Sequence, residues 1–187
     1  MPLNVPNLVT LSRIILIPLL VGLYYAPWFS EETANITATA IFILAGITDW
    51  LDGYLARRLN QISAFGAFLD PVADKLIVVA ALLALLYLNR VDMIVALIIV
   101  GREIAISALR EWMAKVGQAA SVAVAFIGKL KTVAQMVAIP LLLFHEELFG
   151  LDCQWLGTIL INIAAVLTVI SMLYYLRKAL PYASVRG

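Results

Sequence analysis

The stretch TDWLDGYLARRLNQISAFGAFLDPVADK, residues 48–75, contains four aspartates at the end of one apolar run and the start of the next: Asp49, Asp52, Asp70 and Asp74. The first two are three residues apart and the last two are four apart. On a helix, each of these spacings places both carboxylates on one face. The short polar connection of residues 60–63 turns the second run back on the first. We therefore predict two antiparallel helices that bring the four carboxylates together.

Apolar runs of similar length recur along the whole chain. Of its 187 residues, 64% are apolar and 13% are charged, whereas about a quarter of the residues of a soluble domain are charged. About 20 apolar residues are enough to cross a bilayer. We predict one all-α integral membrane domain, residues 1–187, with six transmembrane helices near residues 8–26, 33–57, 66–88, 92–111, 120–144 and 154–177.

The distribution of charge predicts an orientation. With a cytoplasmic N-terminus, every Lys and Arg except Arg90 lies in or near the cytoplasmic half, and the outer breaks carry acidic residues instead. Lys and Arg concentrate on the cytoplasmic side of membrane proteins. Both termini are therefore expected in the cytoplasm, and the four aspartates lie at a polar cavity on that side.

Four carboxylates at one point need a positive partner. Each Asp at membrane depth costs about 2.5–3.5 kcal/mol, and clustering adds repulsion. Partial protonation or a basic residue could relieve it, and the aspartates could also be solvated helix ends. Oxygen ligands without His or Cys favour hard divalent cations. We predict a site for a divalent metal, Mg²⁺, Mn²⁺ or Ca²⁺, with Mg²⁺ as the first candidate and with two ions that share bridging carboxylates.

Small and basic residues surround the aspartates. Gly53 and Ala56 share the helix stripe of Asp49, where they leave space for a ligand or allow close helix packing. Arg57 follows and could hold a phosphate or anchor the helix at the cytoplasmic face. Gly66 lies four residues before Asp70 and extends the second stripe.

Together these positions form a specific motif, Asp49-x2-Asp52-Gly53-x2-Ala56-Arg57-x8-Gly66-x3-Asp70-x3-Asp74. At all eight positions it resembles the signature of the CDP-alcohol phosphotransferase family. The resemblance extends over nearly the whole chain. Residues 6–13, 66–75, 102–112 and 128–132 look like the bacterial members of the family that make phosphatidylglycerophosphate.

The resemblance implies a reaction, a location and a partner. Such enzymes transfer a phosphatidyl group from CDP-diacylglycerol to an alcohol, here sn-glycerol 3-phosphate, and release CMP. They act in the synthesis of phosphatidylglycerol and cardiolipin, in the bacterial cytoplasmic (inner) membrane, as homodimers. The resemblance implies membrane lipids as surroundings and no nucleic acid partner.

The resemblance also assigns roles within the motif. Asp49, Asp52 and Asp70 would hold one metal ion, and Asp74 would join Asp49 and Asp70 around a second. Asp74 would also take the proton of the acceptor hydroxyl. Gly53 and Ala56 would border the cytidine, and Arg57 would contact the diphosphate.

Other polar residues near the cytoplasmic ends of the runs are further candidates. Asn7 and Thr10, with Arg13 on the same spacing of three, could offer one polar face to the nucleotide of CDP-diacylglycerol or to the acceptor, or could cap the first helix. For the acceptor phosphate we predict three cations near the ends of the fourth and fifth runs: Arg110, Lys129 and Lys131. Arg102 lies deeper in its run and could pair with Glu103 or with the motif.

Two alternatives remain open from the sequence. The same chemistry could use another acceptor, namely inositol phosphate, serine or phosphatidylglycerol, because the motif does not distinguish them. The four aspartates could instead serve a divalent-cation transporter. The helix-end position of the acids and the absence of a detectable repeat weigh against transport.

Overall fold

A computed structural model describes the backbone of residues 5–59, 64–118 and 126–182, and the side chains of residues 8–49, 66, 68–118 and 126–182. Five residues of the predicted site therefore have side-chain positions outside the described residues: Asn7, Asp52, Gly53, Ala56 and Arg57. The described chain is almost entirely helical, which confirms the all-α prediction.

The described residues form six helices: α1 Val5–Gly22, α2 Glu31–Leu59, α3 Ala64–Tyr87, α4 Met93–Lys115, α5 Phe126–Phe144 and α6 Cys153–Ala179. Helix α6 continues into a 3₁₀ turn, Leu180–Tyr182. Each helix overlaps one predicted apolar run. Two begin at an aspartate cap. Asp92 accepts a hydrogen bond from the Ile94 amide at 2.7 Å, and Asp152 accepts one from the Trp155 amide at 2.8 Å. Such caps satisfy backbone donors that a helix start leaves unpaired.

A short hairpin between α5 and α6 was not expected from the sequence. Its strands are β1, Glu147–Leu148, and β2, Leu151–Asp152, which pair antiparallel. The two turn residues, Phe149 and Gly150, both have positive φ, at 53° and 77°. A two-residue turn of this kind usually carries Asn-Gly or Asp-Gly. Because Phe149 takes the first of these positions, the sequence does not indicate the turn.

The core lies between tightly packed helices. Helix α5 runs along α6, and α1 packs against α2 and α3. A Cβ on Gly157 of α6 would lie only 2.8 Å from Leu142 Cγ of α5, so the helices approach closely there. Leu20, Leu82 and Leu142 are fully buried in the common core. This packing holds α2, α3 and α5 together around the acidic residues.

The outward faces of the bundle are apolar. Large side chains such as Ile15, Leu97 and Val166 are largely exposed. Within the described residues, two segments are long and apolar enough to cross a membrane, Phe126–Phe144 and Cys153–Tyr182, and α1 is apolar over the shorter stretch Leu8–Gly22. Exposed apolar surface on this scale is typical of a protein that faces another apolar phase, and the structure thus favours a membrane environment.

The end of the bundle away from the aspartates is held by Arg90, in the connection between α3 and α4. Its buried guanidinium donates to Asn35 Oδ1 at 3.0 Å and to the carbonyl oxygens of Leu142 and Leu143 at 3.2 and 2.9 Å. It also pairs with Glu31 Oε1 at 2.9 Å. These bonds satisfy carbonyls that the end of α5 leaves open, and they join α2 and α5 to the connection.

Candidate active site

Three described aspartates of the motif lie beside α1. Nη1 of Arg13 donates to Asp49 Oδ1 of α2 at 2.9 Å and also to Asp74 Oδ1 of α3. Thr10 donates its hydroxyl to Asp70 Oδ1 at 2.5 Å. The side chain of Arg13 is only 1% exposed. Three helices therefore meet at one charged cluster.

The spacing of residues explains this convergence. Thr10 and Arg13 are three residues apart on α1, and Asp70 and Asp74 are four apart on α3, so each pair presents one face to the other helix. The sequence places Arg13 on the face of Thr10 but does not indicate its contact with two aspartates. Because Thr10 is engaged by Asp70, its contact with CDP-diacylglycerol stays a prediction.

The described residues fit part of the predicted metal site. One guanidinium nitrogen contacts both Asp49 and Asp74, so the two carboxylates converge on a point that attracts positive charge. Their oxygens are donors that Mg²⁺ prefers. Among the side chains that the structure describes, no group of three or more acidic, His or Cys residues is arranged to hold a metal ion. Asp52 lies outside that set, and the four-aspartate site stays a prediction.

A cavity of about 610 Å³ extends from the cluster into the bundle. Asp49 and Asp74 line one part of it. The rest of the lining combines apolar side chains with four cations, one carboxylate and three polar groups, and these charged and polar residues are Lys75, Arg102, Glu103, Ser107, Arg110, Lys131, Thr132 and Gln135. The cavity therefore joins an acidic end to a basic end.

The basic end is organised around Glu103 of α4. Lys131 of α5 donates to Glu103 Oε1, and Arg102 Nη1 approaches the same oxygen at 3.3 Å. Arg102 Nη2 also donates to Ser171 Oγ of α6 at 3.2 Å. The Cζ atoms of Arg102 and Arg110 lie 5.9 and 5.6 Å from the ring centre of buried Tyr175. Cations at this distance from an aromatic ring are attracted to its face.

The structure brings two of the three predicted acceptor-phosphate residues to this cavity. Arg110 and Lys131 line it, but Lys129 is exposed and is not among the lining residues. Side chains two positions apart on a helix point in directions that differ by about 200°, so Lys129 and Lys131 cannot both face the cavity. Gly66 is buried one turn before Asp70 and also lies outside the lining.

A shallower apolar groove adjoins the cavity. It has a volume of about 320 Å³ and is lined by Phe42, Ile43, Gly46 and Ile47 of α2 and Met136 of α5. Phe42, Gly46 and Met136 also line the cavity. The groove therefore leads from the apolar outer face between α2 and α5 to the charged interior.

Comparison with known proteins shows the family. The family model described as CDP-alcohol phosphatidyltransferase matches residues 3–170. The chain belongs to the CDP-alcohol phosphatidyltransferase family. A protein of Salmonella choleraesuis (strain SC-B67) named CDP-diacylglycerol–glycerol-3-phosphate 3-phosphatidyltransferase is 49% identical over 181 residues, which cover 96% of each chain. Proteins of the same name from Escherichia coli (strain K12) and Shigella flexneri serotype 5b are 48% identical over the same share of each chain.

In this CDP-alcohol phosphatidyltransferase, sequence reasoning missed two residues of the basic end. The sequence predicts Glu103 only as a partner of Arg102, and it predicts no role for Tyr175. A carboxylate inside an apolar run, directly after an arginine, is a signal for Glu103, because buried acids need a partner. No local pattern identifies Tyr175, since its contacts depend on the packing of α6 against α4.

Proposed function

We propose that this protein transfers the phosphatidyl group of CDP-diacylglycerol to sn-glycerol 3-phosphate, the transfer that the names of its relatives state, and that it releases CMP. The observation that carries the proposal is the cavity with oppositely charged ends. Its acidic end, at Asp49 and Asp74, suits a metal-bound diphosphate, and its basic end, at Arg110 and Lys131, suits a phosphorylated acceptor.

We place the protein in the bacterial cytoplasmic (inner) membrane with six transmembrane helices, both termini and the cavity facing the cytoplasm. The concentration of Lys and Arg on one side supports this orientation. The one exception, Arg90, is paired inside the protein. A homodimer is part of the proposal and rests on the family resemblance.

The groove between α2 and α5 supports a lipid donor. Its apolar lining suits acyl chains that extend from the bilayer, and its shared border with the cavity lets the headgroup reach the aspartates. Small residues at the cytoplasmic end of α2, Gly53 and Ala56, would border the cytidine, with Arg57 at the diphosphate. Asn7, Thr10 and Gly66 complete the proposed donor site.

Asp49, Asp52, Asp70 and Asp74 would hold the divalent cations, Mg²⁺ or Mn²⁺, which neutralise charge on the diphosphate. Arg110 and Lys131 bind the acceptor phosphate and so direct the C1 hydroxyl toward the donor. The hydroxyl oxygen forms a bond to the phosphorus that carries diacylglycerol. The bond from that phosphorus to the bridging oxygen breaks, CMP leaves with this oxygen, and Asp74 accepts the hydroxyl proton.

Release of CMP by the purified full-length protein tests the proposal. CDP-diacylglycerol is supplied with Mg²⁺ and, in separate reactions, with sn-glycerol 3-phosphate, inositol phosphate, serine or phosphatidylglycerol. We expect CMP only with sn-glycerol 3-phosphate, and none after chelation of the metal. Release only with another acceptor would overturn the proposed acceptor. A lack of release with every acceptor would overturn the proposed reaction.

A further inference from the structure

Glu103 lines the cavity together with four cations, and two of these, Lys131 and Arg102, contact its carboxylate. We propose that Glu103 is a positioning residue for the acceptor phosphate and acts through Lys131. This inference rests on the proposed function, since it concerns the site for a phosphorylated acceptor. It assigns Glu103 no contact with the reacting atoms.

The contact between Glu103 and Lys131 joins two helices at the cavity wall. Glu103 belongs to α4 and Lys131 to α5, and they are 28 residues apart in the chain. A lysine carries its charge on a flexible stem with four carbons, so an unrestrained ammonium samples many positions. The Lys131 side chain is 2% exposed, and that of Glu103 is 22% exposed. The carboxylate therefore fixes a buried ammonium at the edge of the accessible space.

Arg102 strengthens this arrangement. Its guanidinium reaches the same Oε1 atom at 3.3 Å and is held from the other side by Ser171. Glu103 is thus placed by Arg102 and in turn places Lys131. The chain of contacts from α6 through α4 to α5 sets the ammonium before the acceptor arrives, and pre-organisation of this kind lowers the cost of binding.

Electrostatics gives a second reason for a carboxylate here. Lys75, Arg102, Arg110 and Lys131 line the same cavity, and like charges repel one another. The Glu103 carboxylate reduces this repulsion where it contacts Lys131, and so keeps that ammonium at the cavity wall. A phosphate that enters then meets the ammonium already in place.

The test is a double-mutant cycle on the full-length enzyme. We expect Glu103→Gln to raise KM for sn-glycerol 3-phosphate about tenfold, with KM for CDP-diacylglycerol changed less than twofold. In a Lys131→Gln background, the same Glu103→Gln change should not raise KM for sn-glycerol 3-phosphate further, because the Lys131 ammonium through which Glu103 acts is already absent. Independent, multiplicative effects of the two changes would overturn the inference, as would an equal rise in both KM values.

Two further variants complete the design. Glu111 lies on the same helix, and its carboxylate pairs with Lys115 at 2.9 Å outside the cavity. Glu111→Gln should therefore leave both KM values unchanged. Should Glu103→Gln not fold, Glu103→Asp carries the same cycle, with a smaller expected rise in KM. A wild-type enzyme inactive with sn-glycerol 3-phosphate would refute the proposed function, whereas an active wild type with an additive cycle would refute only the role of Glu103.

Discussion

Arg13 of α1 donates a hydrogen bond to Asp49 of α2 across 2.9 Å, with its side chain almost completely buried. The same nitrogen contacts Asp74 of α3. The first helix is therefore docked by charge as well as by apolar packing. Since a divalent cation would draw on the same carboxylates, Arg13 and the predicted metal site are linked.

Replacement of Arg13 by Gln should reveal this link. The free energy of unfolding should fall, although by less than the roughly 3–5 kcal/mol of a fully buried ion pair, because the Asp49 and Asp74 side chains are 44% and 43% exposed. Mg²⁺ should raise Tm of Arg13→Gln more than that of the wild type, because the carboxylates lose a competing cation. Thermal unfolding in detergent, with Mg²⁺ or with chelator, measures both effects.

The matched control for Arg13 is Arg90→Gln, which removes a buried arginine at the opposite end of the bundle. It should lower Tm while the Mg²⁺-induced rise in Tm stays that of the wild type. An equal Mg²⁺-induced rise in all three proteins would contradict the link.

Asp74→Asn should abolish turnover in a folded, membrane-inserted protein. The amide cannot accept the hydroxyl proton, and a general base contributes about 10²–10⁴-fold, so CMP release should fall by at least the lower figure. Asp92→Asn, which keeps a helix-capping side chain at the start of α4, is the control. Wild-type turnover by Asp74→Asn would refute the role assigned to that residue.

Lys131 and Lys129 form a natural pair of test and control, two residues apart on one helix. Lys131→Met should raise KM for sn-glycerol 3-phosphate tenfold or more, since a hydrogen bond to a charged group contributes about 1.5–3 kcal/mol. Lys129→Met should change it less than twofold, because Lys129 is exposed outside the cavity. Equal effects would show that the cavity is not the acceptor site.

Gly46 lies where the groove and the cavity meet, and a Cβ there would approach Met136 Cε to 3.2 Å. Gly46→Leu should obstruct the acyl chains and raise KM for long-chain CDP-diacylglycerol about tenfold. A tenfold change corresponds to the free energy of burying roughly two methylene groups. KM for a short-chain donor should change less. Gly101→Leu, into open space on α4, is the control. Equal sensitivity to both donors would exclude the groove as the acyl-chain site.

His145 is the one histidine of the chain, so its titration can be followed without overlap by NMR. Burial, and next the positive charge of Arg90, hold the pKa of His145 below its ordinary 6.5, although Glu31, Glu146 and Asp152 act in the opposite direction. Folding therefore favours the neutral imidazole. The contribution of neutral His145 to the free energy of unfolding is fully present above pH 6.5. It is lost as the pH falls through the lower pKa that His145 has in the folded protein.

The control for His145 is His145→Asn, since asparagine tolerates the positive φ of 65° at this position. Below pH 6.5, Tm of the variant should fall less steeply than that of the wild type. An NMR pKa at or above 6.5 would contradict the expected burial.

The sequence was sufficient for the helices and for the meeting of Asp49 with Asp74, because both follow from periodicity and from one short connection. It was not sufficient for contacts that depend on how distant helices pack. Arg13 lies 61 residues from Asp74, and Glu103 lies 28 from Lys131. Closeness along the chain does not distinguish Lys129 from Lys131, whereas the structure places Lys131 in the cavity lining and leaves Lys129 exposed.

The bonds of Arg90 have a consequence for how the chain is assembled. Two of its partners, Glu31 and Asn35, precede it in synthesis, whereas the carbonyls of Leu142 and Leu143 follow about fifty residues later. A chain that stops before the end of α5 therefore leaves the Arg90 guanidinium without two of its four acceptors. The connection between α3 and α4 thus reaches its final bonding only after α5 has been made.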